Sequence, residues 1–329
     1  MTRRLASLVA CLLAILMVGL AGLSCSGPVA QKSYRIGVLA WRANVPAVDG
    51  FKKGLGALGI SEGSNLEIVY RDAAGDPDKL QQFAAELVSE RPDLIFGTMA
   101  QGGRAAVKAA RDSGTPVVYY TGVDPVTDGL AESLTRPAAT ATGVWTVVPV
   151  AKQLEFLSKA APGAKKVLLF HDEGAFRSVS STAAREAAQI LGMSLVETVV
   201  KDKDGVMARL ATLVPGEVDA LYNFPSGFEA TNASAEGQAA LRLRLPMSTG
   251  LLSDAGLPGV LLSYSYDPSD VGEQCARLAA KILRGVSAGE IPIEAPSRYR
   301  LVINMATARA IGLAVPPDLL SLADRVIDE

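Results

Sequence analysis

Residues suited to holding a small organic molecule recur at the ends of apolar runs along this 329-residue chain. In the first half these are Trp41, then Thr98, Met99, Ala100 and Gln101, then Thr121 and Asp124, then Trp145. The second half adds His171, Asp172 and Glu173, then Phe224, Pro225 and Ser226, then Ser248 and Thr249, then Tyr264, Tyr266 and Asp267. Flat rings, a few hydroxyls and one or two carboxylates suit a small zwitterion or a planar organic solute. Predicted helices starting at Ala100 and near Ser178 would offer backbone N–H groups to a ligand carboxylate, and Asp124 would pair with a ligand amine. The expected ligand-binding set is Trp41, Thr98, Met99, Ala100, Asp124, Trp145, Asp172, Phe224, Ser226, Thr249, Tyr264 and Asp267.

Each of these residues also has a structural reading. Trp41 and Trp145 could pack a hinge, and Asp124, standing before Pro125, could cap a turn. His171, the sole histidine, ends an apolar strand and could be a satisfied edge residue. Tyr119 and Tyr120 lie inside a strand and read as core. Catalysis has little to stand on. The chain lacks a G-x-x-x-x-G-K-[ST] phosphate loop, and the letters G-x-G-x-x-G at Gly54, Gly56 and Gly59 and G-x-S-x-G at Gly59, Ser61 and Gly63 fall at the end of the helical stretch "AVDGFKKGLGALG", not at the strand-to-helix turn that either motif requires. One histidine cannot supply a His-rich metal site. No cofactor, no metal and no catalytic residue are expected.

The elements that must position these residues follow a clear rhythm. "YRIGVLA", "NLEIVYRDA", "PDLIFGTMA" and "TPVVYYTG" read as strands separated by amphipathic helices. In "DPDKLQQFAAELVSE", Asp76 is placed to cap a helix before Pro77. Continuous apolar strands alternating with helices predict a parallel sheet covered on both faces. The pattern then restarts with "AKKVLLFHD", "MSLVETVVKD" and "VDALYNFPSG". The expected fold is α/β: two similar Rossmann-like lobes joined by a multi-strand hinge. Lobe 1 is expected over 34–145 with 267–296 returning to it. Lobe 2 is expected over 146–266, with 297–329 in the hinge and lobe 2. In such open sheets ligands bind beyond the carboxyl ends of the strands.

The chain opens with Arg3 and Arg4, then an apolar stretch from Leu5 to Leu23, with no acid before Cys25. This is the pattern of an export signal. In "LAGLSCSG", small residues precede a cysteine, so residues 1–24 are expected to be cleaved, Cys25 to carry lipid, and 25–33 to form a tether. The stretch departs from a usual lipobox in having Gly22 where leucine is common. Cys11 would be lost with the leader, and Cys275 in "GEQCARLAAKIL" reads as an ordinary core residue. Losing two arginines moves the formal charge from −2 to about −4, which offers nothing to nucleic acid or to an anionic membrane surface. The protein is expected to be a monomer, held at the membrane only by its lipid.

Taken in order, "YRIGVLA", "GFKKGLGALGISEGSNLEIVYRDAAGDPDKLQQFAAELV", "PDLIFGTMA", "GVDPVTDGL", "ATGVW", "KQLEFL", "VDALYNFPSG" and "LVINMATARAIGLAVPPDLL" resemble the ABC-transporter substrate-binding proteins whose members bind tryptophan, phenylalanine or tyrosine. The resemblance covers roughly residues 34–327 and implies the type I periplasmic-binding-protein fold. By that resemblance, Thr98 and Ala100 sit where the first lobe holds a ligand carboxylate, and Asp124 occupies an Asp-Pro position. The chain departs from the family at "NFPSG", where Thr-Asp-Asn is frequent, and at Ser248–Thr249, where Ser-Asp is frequent. "FHDEGA" likewise stands in place of a more neutral pair. The loss of acids at the first two of these places points away from amino-acid specificity and toward a less cationic ligand. The expected function is an exported solute receptor that captures a small organic ligand, an amino acid (an aromatic one among the candidates) or a related compound, in the cleft between its lobes and delivers it to an ABC permease. A sensor partnered with a membrane signalling protein, or an exported α/β enzyme, are the alternatives.

Overall fold

The computed structural model describes residues 32–43, 45–176, 179–224 and 231–328. The leader, Cys25 and Ser226 lie outside the described residues.

The first half alternates strand and helix: β1 (Tyr34–Ala40), α1 (Val45–Ala57), β2 (Leu66–Asp72), α2 (Pro77–Ser89), β3 (Leu94–Thr98), α3 (Met99–Ala110) and β4 (Val117–Thr121). A short hairpin, β5 (Ala131–Ser133) and β6 (Arg136–Pro137), leads to β7 (Ala141–Trp145). The sheet order is β2-β1-β3-β4-β7, with every pair parallel. All residues of β3 and β4 are buried, as continuous apolar runs require when helices cover both faces. Asp76 caps α2, its Oδ1 accepting from the N–H groups of Asp78 (2.9 Å) and Lys79 (3.1 Å), with Pro77 in the first turn.

The second half repeats the scheme. It runs α4 (Val150–Ala160), β8 (Lys166–His171), α5 (Glu173–Phe176), α6 (Val179–Ile190), β9 (Ser194–Val199), α7 (Lys203–Thr212), β10 (Ala220–Asn223), α8 (Ala233–Leu243), β11 (Met247–Thr249) and β12 (Leu262–Ser265). Then come α9 (Pro268–Leu283), β13 (Arg300–Asn304), α10 (Met305–Ile311), α11 (Pro317–Ser321) and β14 (Arg325–Ile327). This sheet has the order β14-β13-β12-β11-β10-β8-β9, parallel except that β13 runs antiparallel to β12. The α/β architecture of two mainly parallel sheets is the one expected from the sequence.

The chain crosses between the sheets after β7, after β12 and before β13. Helix α9 follows the second crossing yet packs on α1 of the first sheet. Glycines make that contact close: a Cβ on Gly272 would stand 2.0 Å from the Ala47 carbonyl, and one on Gly50 would stand 2.0 Å from that of Ser269. Phe51, Leu55, Val271, Cys275 and Leu278 form one core layer with Ile36, Val38 and Phe96. Leu39, Leu87, Ile95 and Tyr119 form the layer on the other face. Each fully buried side chain of this size stabilises by about 1.5–3 kcal/mol. Cys275, Tyr119 and Tyr120 are buried, in keeping with their core reading, and burial pushes the Cys275 thiol pKa up.

Candidate ligand-binding cleft

Strand register brings the first group of expected residues to one edge. Ala40 pairs with Thr98, so Trp41 leaves β1 beside the end of β3. Thr121 pairs with Trp145 at the ends of β4 and β7. Both tryptophans are half-buried and pack on the same core layer, the one containing Leu39, Ile95 and Tyr119. Thr146 Oγ1 donates to the Thr121 carbonyl (2.9 Å), which holds the β7 exit against β4.

The junction from β3 into α3 is unusual. Thr98 precedes the helix in extended conformation, but its side chain makes no capping hydrogen bond. Its hydroxyl is buried and has no partner among the described residues, although the residue is 0% exposed. Most buried polar atoms are partnered, so such an atom calls for an explanation. Met99 follows with φ +62°, a left-handed conformation that non-glycine residues seldom adopt. Small residues let this first turn approach the sheet: a Cβ on Gly102 would stand 2.8 Å from the Leu39 carbonyl, and one on Gly97 would stand 2.9 Å from that of Gly102. Ala100 is buried, whereas Met99, Val123 and Val126 are exposed apolar residues.

Asp124 is half-buried, and its carboxylate closes its own loop. Oδ1 accepts from the N–H groups of Val126 (2.8 Å) and Thr127 (2.9 Å). That is the turn-capping role weighed against amine binding. Its second oxygen, Oδ2, takes no part in these two bonds.

At the second sheet, Asn223, Thr249 and Ser263 align at the carboxyl edge of β10, β11 and β12. They belong to a buried polar chain. Glu236, 1% exposed, accepts from Asn223 Nδ2 (3.1 Å), and Thr249 Oγ1 lies 3.2 Å from Asn223 Oδ1. Thr249 also accepts from the Leu251 N–H (3.3 Å) and approaches Asp254 Oδ2 (3.4 Å). Burial pushes the Asp254 carboxyl pKa up, against the hydrogen bonds from Ser253 and Thr249. Ser248 is a further buried hydroxyl without a partner among the described residues, one position before the strand end between Tyr222 and Leu262.

Other expected residues are occupied by packing. Phe224 is buried, meeting His171 edge-on at 4.8 Å and Tyr222 at 6.1 Å. His171 is itself fully buried and shares a hydrogen bond with Glu197 (3.1 Å), which Arg185 Nε also contacts (2.9 Å). Burial is the main cause holding the His171 pKa below its ordinary value, and Glu197 opposes it. Asp172 follows, half-buried. Tyr264 packs edge-on to Phe156 (4.9 Å) and stacks with Tyr299 (5.7 Å). Asp267 caps α9, accepting from the Ser269 N–H (2.9 Å), and lines a cavity of about 470 Å³ with Arg300, Leu251 and Pro46.

Two positions escaped the sequence reading. Gln153 is fully buried, donating to the Tyr264 carbonyl (2.7 Å) and accepting from the Tyr222 hydroxyl. A polar residue inside the apolar stripe Val150, Leu154, Leu157 was the available signal. Arg300 reaches from β13 to Asp270 of α9 (2.6 Å), joining the second sheet to the first lobe's helix layer. No pattern in the sequence announces that pair.

Comparison with known proteins bears on the whole chain. The profile of the family described as ABC transporter substrate binding protein matches residues 39–327. A tyrosine-binding protein of Clostridioides difficile strain R20291 is 26% identical over 270 residues, spanning 81% of this chain and 76% of that one. A structure from Streptococcus pneumonia, described as an ABC domain in complex with L-Trp, has the same fold: TM-score 0.76, 21% identity, 90% of this chain and 100% of that one covered. The ligand-free, open structure of a substrate binding protein with adhesive properties from Clostridium difficile gives TM-score 0.72 at 25% identity, again covering 90% and 100%.

Proposed function

From the premise that the chain belongs to the ABC transporter substrate binding protein family, we propose that it captures a small organic carboxylate between the carboxyl edges of its two sheets and hands it to an ABC permease. The family consists of solute-binding proteins, not enzymes. The ligand favoured here is an amino acid with an aromatic side chain. One observation carries this reading: the fully buried hydroxyl of Thr98, without a partner among the described residues and set at the start of α3, where no side chain caps the helix. A helix N-terminus favours negative charge, and its first N–H groups lack intrahelical partners. A carboxylate there would satisfy the hydroxyl and those amides together. Trp41 and Trp145 beside it would receive an apolar body. The relatives' names, with tyrosine in one and L-Trp in another, support this ligand class.

We further propose that the protein acts outside the cytoplasm, with Cys25 carrying the lipid that keeps it at the membrane. Among the described residues, no helix is long and apolar enough to cross a membrane.

A thermal-shift screen tests the ligand reading. L-tryptophan, L-tyrosine and L-phenylalanine are compared with tryptamine, which lacks the carboxylate, and with neutral sugars. A ligand at 100 times its Kd stabilises by about 2.7 kcal/mol. Melting should rise with the amino acids and stay unchanged with tryptamine. A rise with sugars alone, or with none of the panel, refutes the reading. Cys25→Ala should move the protein from the membrane fraction to the soluble exported fraction; retention at the membrane refutes lipid anchoring.

A further inference from the structure

We infer that Met99 is a positioning and specificity residue whose left-handed backbone shapes an anion-binding turn and whose exposed side chain covers the ligand's apolar body. The inference rests on the carboxylate reading above and goes further by giving a strained residue two separable tasks.

Four non-glycine residues have positive φ among the described residues: Ala74, Arg91, Met99 and Arg244. Arg91 and Arg244 lie at the ends of α2 and α8, where left-handed residues terminate helices, and Ala74 sits in the turn after β2. Met99 alone stands where a strand enters a helix. A left-handed residue followed by a helical one turns consecutive N–H groups toward a common point, making a nest for an anion. Here those groups are the amides of Met99, Ala100 and Gln101. Thr98 Oγ1, fully buried and without a partner among the described residues, lies at the same turn and supplies the independent sign of a ligand. Strain of this kind persists where the surroundings enforce it, and it clusters at binding sites. The enforcement is visible at Gly97 and Gly102, whose backbones press on neighbouring chain with no room for a Cβ.

Glycine would adopt this conformation with less strain, so stability alone does not explain methionine. Its side chain, 37% exposed, is one of the large apolar groups left uncovered at this edge, with Val123 and Val126. A thioether suits contact with an aromatic ring and adapts to its shape.

Three variants separate the tasks, each assayed by thermal melting without ligand and by calorimetric titration with L-tryptophan. Met99→Gly keeps the turn and removes the side chain. It should melt about 2 °C higher and bind roughly tenfold more weakly. Met99→Leu keeps an apolar body and should bind within about threefold of wild type. Met99→Val places a β-branched residue at positive φ, so it should melt lower than wild type and lose more affinity than Met99→Gly. If Met99→Gly melts at or below wild type, the turn is not strained and the inference falls. If it binds L-tryptophan as tightly as wild type, the side-chain role falls. A wild-type protein that binds no carboxylate overturns the ligand reading itself, and this inference with it.

Discussion

Replacing Thr98 by valine should make the ligand-free protein more stable and the ligand-binding protein weaker. Valine exchanges the hydroxyl for a methyl group of nearly the same shape. The hydroxyl is fully buried and has no partner among the described residues, so the native state bears its desolvation without return. An unsatisfied buried polar group costs about 1–3 kcal/mol, and relieving it should raise the melting temperature by about 2 °C or more. Valine also suits the last position of a strand. Binding moves the other way. A hydrogen bond to a charged group contributes about 1.5–3 kcal/mol, so Kd for L-tryptophan should rise roughly 10- to 150-fold. Thr98→Ser is the control: it retains the hydroxyl, loses a methyl, melts lower by a degree or two, and binds nearly as wild type. Scanning fluorimetry on ligand-free protein and calorimetry with L-tryptophan give both numbers. If Thr98→Val is less stable than wild type, the hydroxyl has a protein partner. If its affinity is unchanged, the carboxylate does not reach Thr98.

Gly272→Ala should disrupt the seating of α9 on α1, because the new Cβ would stand 2.0 Å from the Ala47 carbonyl; a loss of about 3 kcal/mol in denaturant unfolding is expected, and a loss under 1 kcal/mol would show that the helices separate easily. His171, facing Glu197, Arg185 and Asp172, has its pKa held below 6.5 mainly by burial, so the folded state binds fewer protons than the unfolded one. Its contribution to stability is complete above pH 6.5 and is lost as pH falls toward the lower folded-state value. His171→Gln should therefore flatten the fall of melting temperature between about pH 7 and 5, and an unchanged slope would mean that other groups govern it. Arg300→Gln and Asp270→Asn should be non-additive, with a coupling of about 1 kcal/mol by double-mutant cycle, as fits a half-buried pair 2.6 Å apart. A coupling of zero would mean that water and other partners replace the bridge.

Much of the fold was legible because its strands are buried on both faces and therefore read as unbroken apolar runs. "PDLIFGTMA" became β3 with all five strand residues buried, and the recurrence from "AKKVLLFHD" announced a second sheet. Asp76 before Pro77 fixed a helix start because cap chemistry is local. The antiparallel seating of β13 against β12 was not legible, since "RLVIN" has the same composition in either direction. Strand ends were legible too: Thr98 and Trp145 stand where their apolar runs stop, as the last residues of β3 and β7. The environment of the aromatic side chains did not. Phe224 and Tyr264 end or alternate in strands as Trp41 does, yet they are locked between rings, and only tertiary contacts decide which. The orphan state of the Thr98 hydroxyl and the left-handed φ of Met99 are likewise invisible without the packing of α3 on the sheet.

The two edges differ in what they offer a ligand, and the difference favours an order of events. In the second sheet Thr249, Asn223 and Glu236 already bond one another, so a ligand that engages them must compete with those bonds. Ser248 has no partner among the described residues, but it lies one residue short of the strand end between Tyr222 and Leu262. In the first sheet the unpartnered hydroxyl belongs to Thr98, the last residue of its strand, beside amides with no side-chain cap. Binding free energy is gained most readily where a buried group has nothing to give up. If the proposed ligand binds between these edges, the first sheet would be the better initial receptor, with the second sheet engaged afterwards. That order makes a sharp demand on the variants. Thr98→Val should slow capture and weaken affinity even in the open protein. Thr249→Val should leave the initial encounter rate unchanged and speed ligand release, which stopped-flow fluorescence of Trp41 and Trp145 would resolve. Equal effects of both substitutions on the association rate would refute the order.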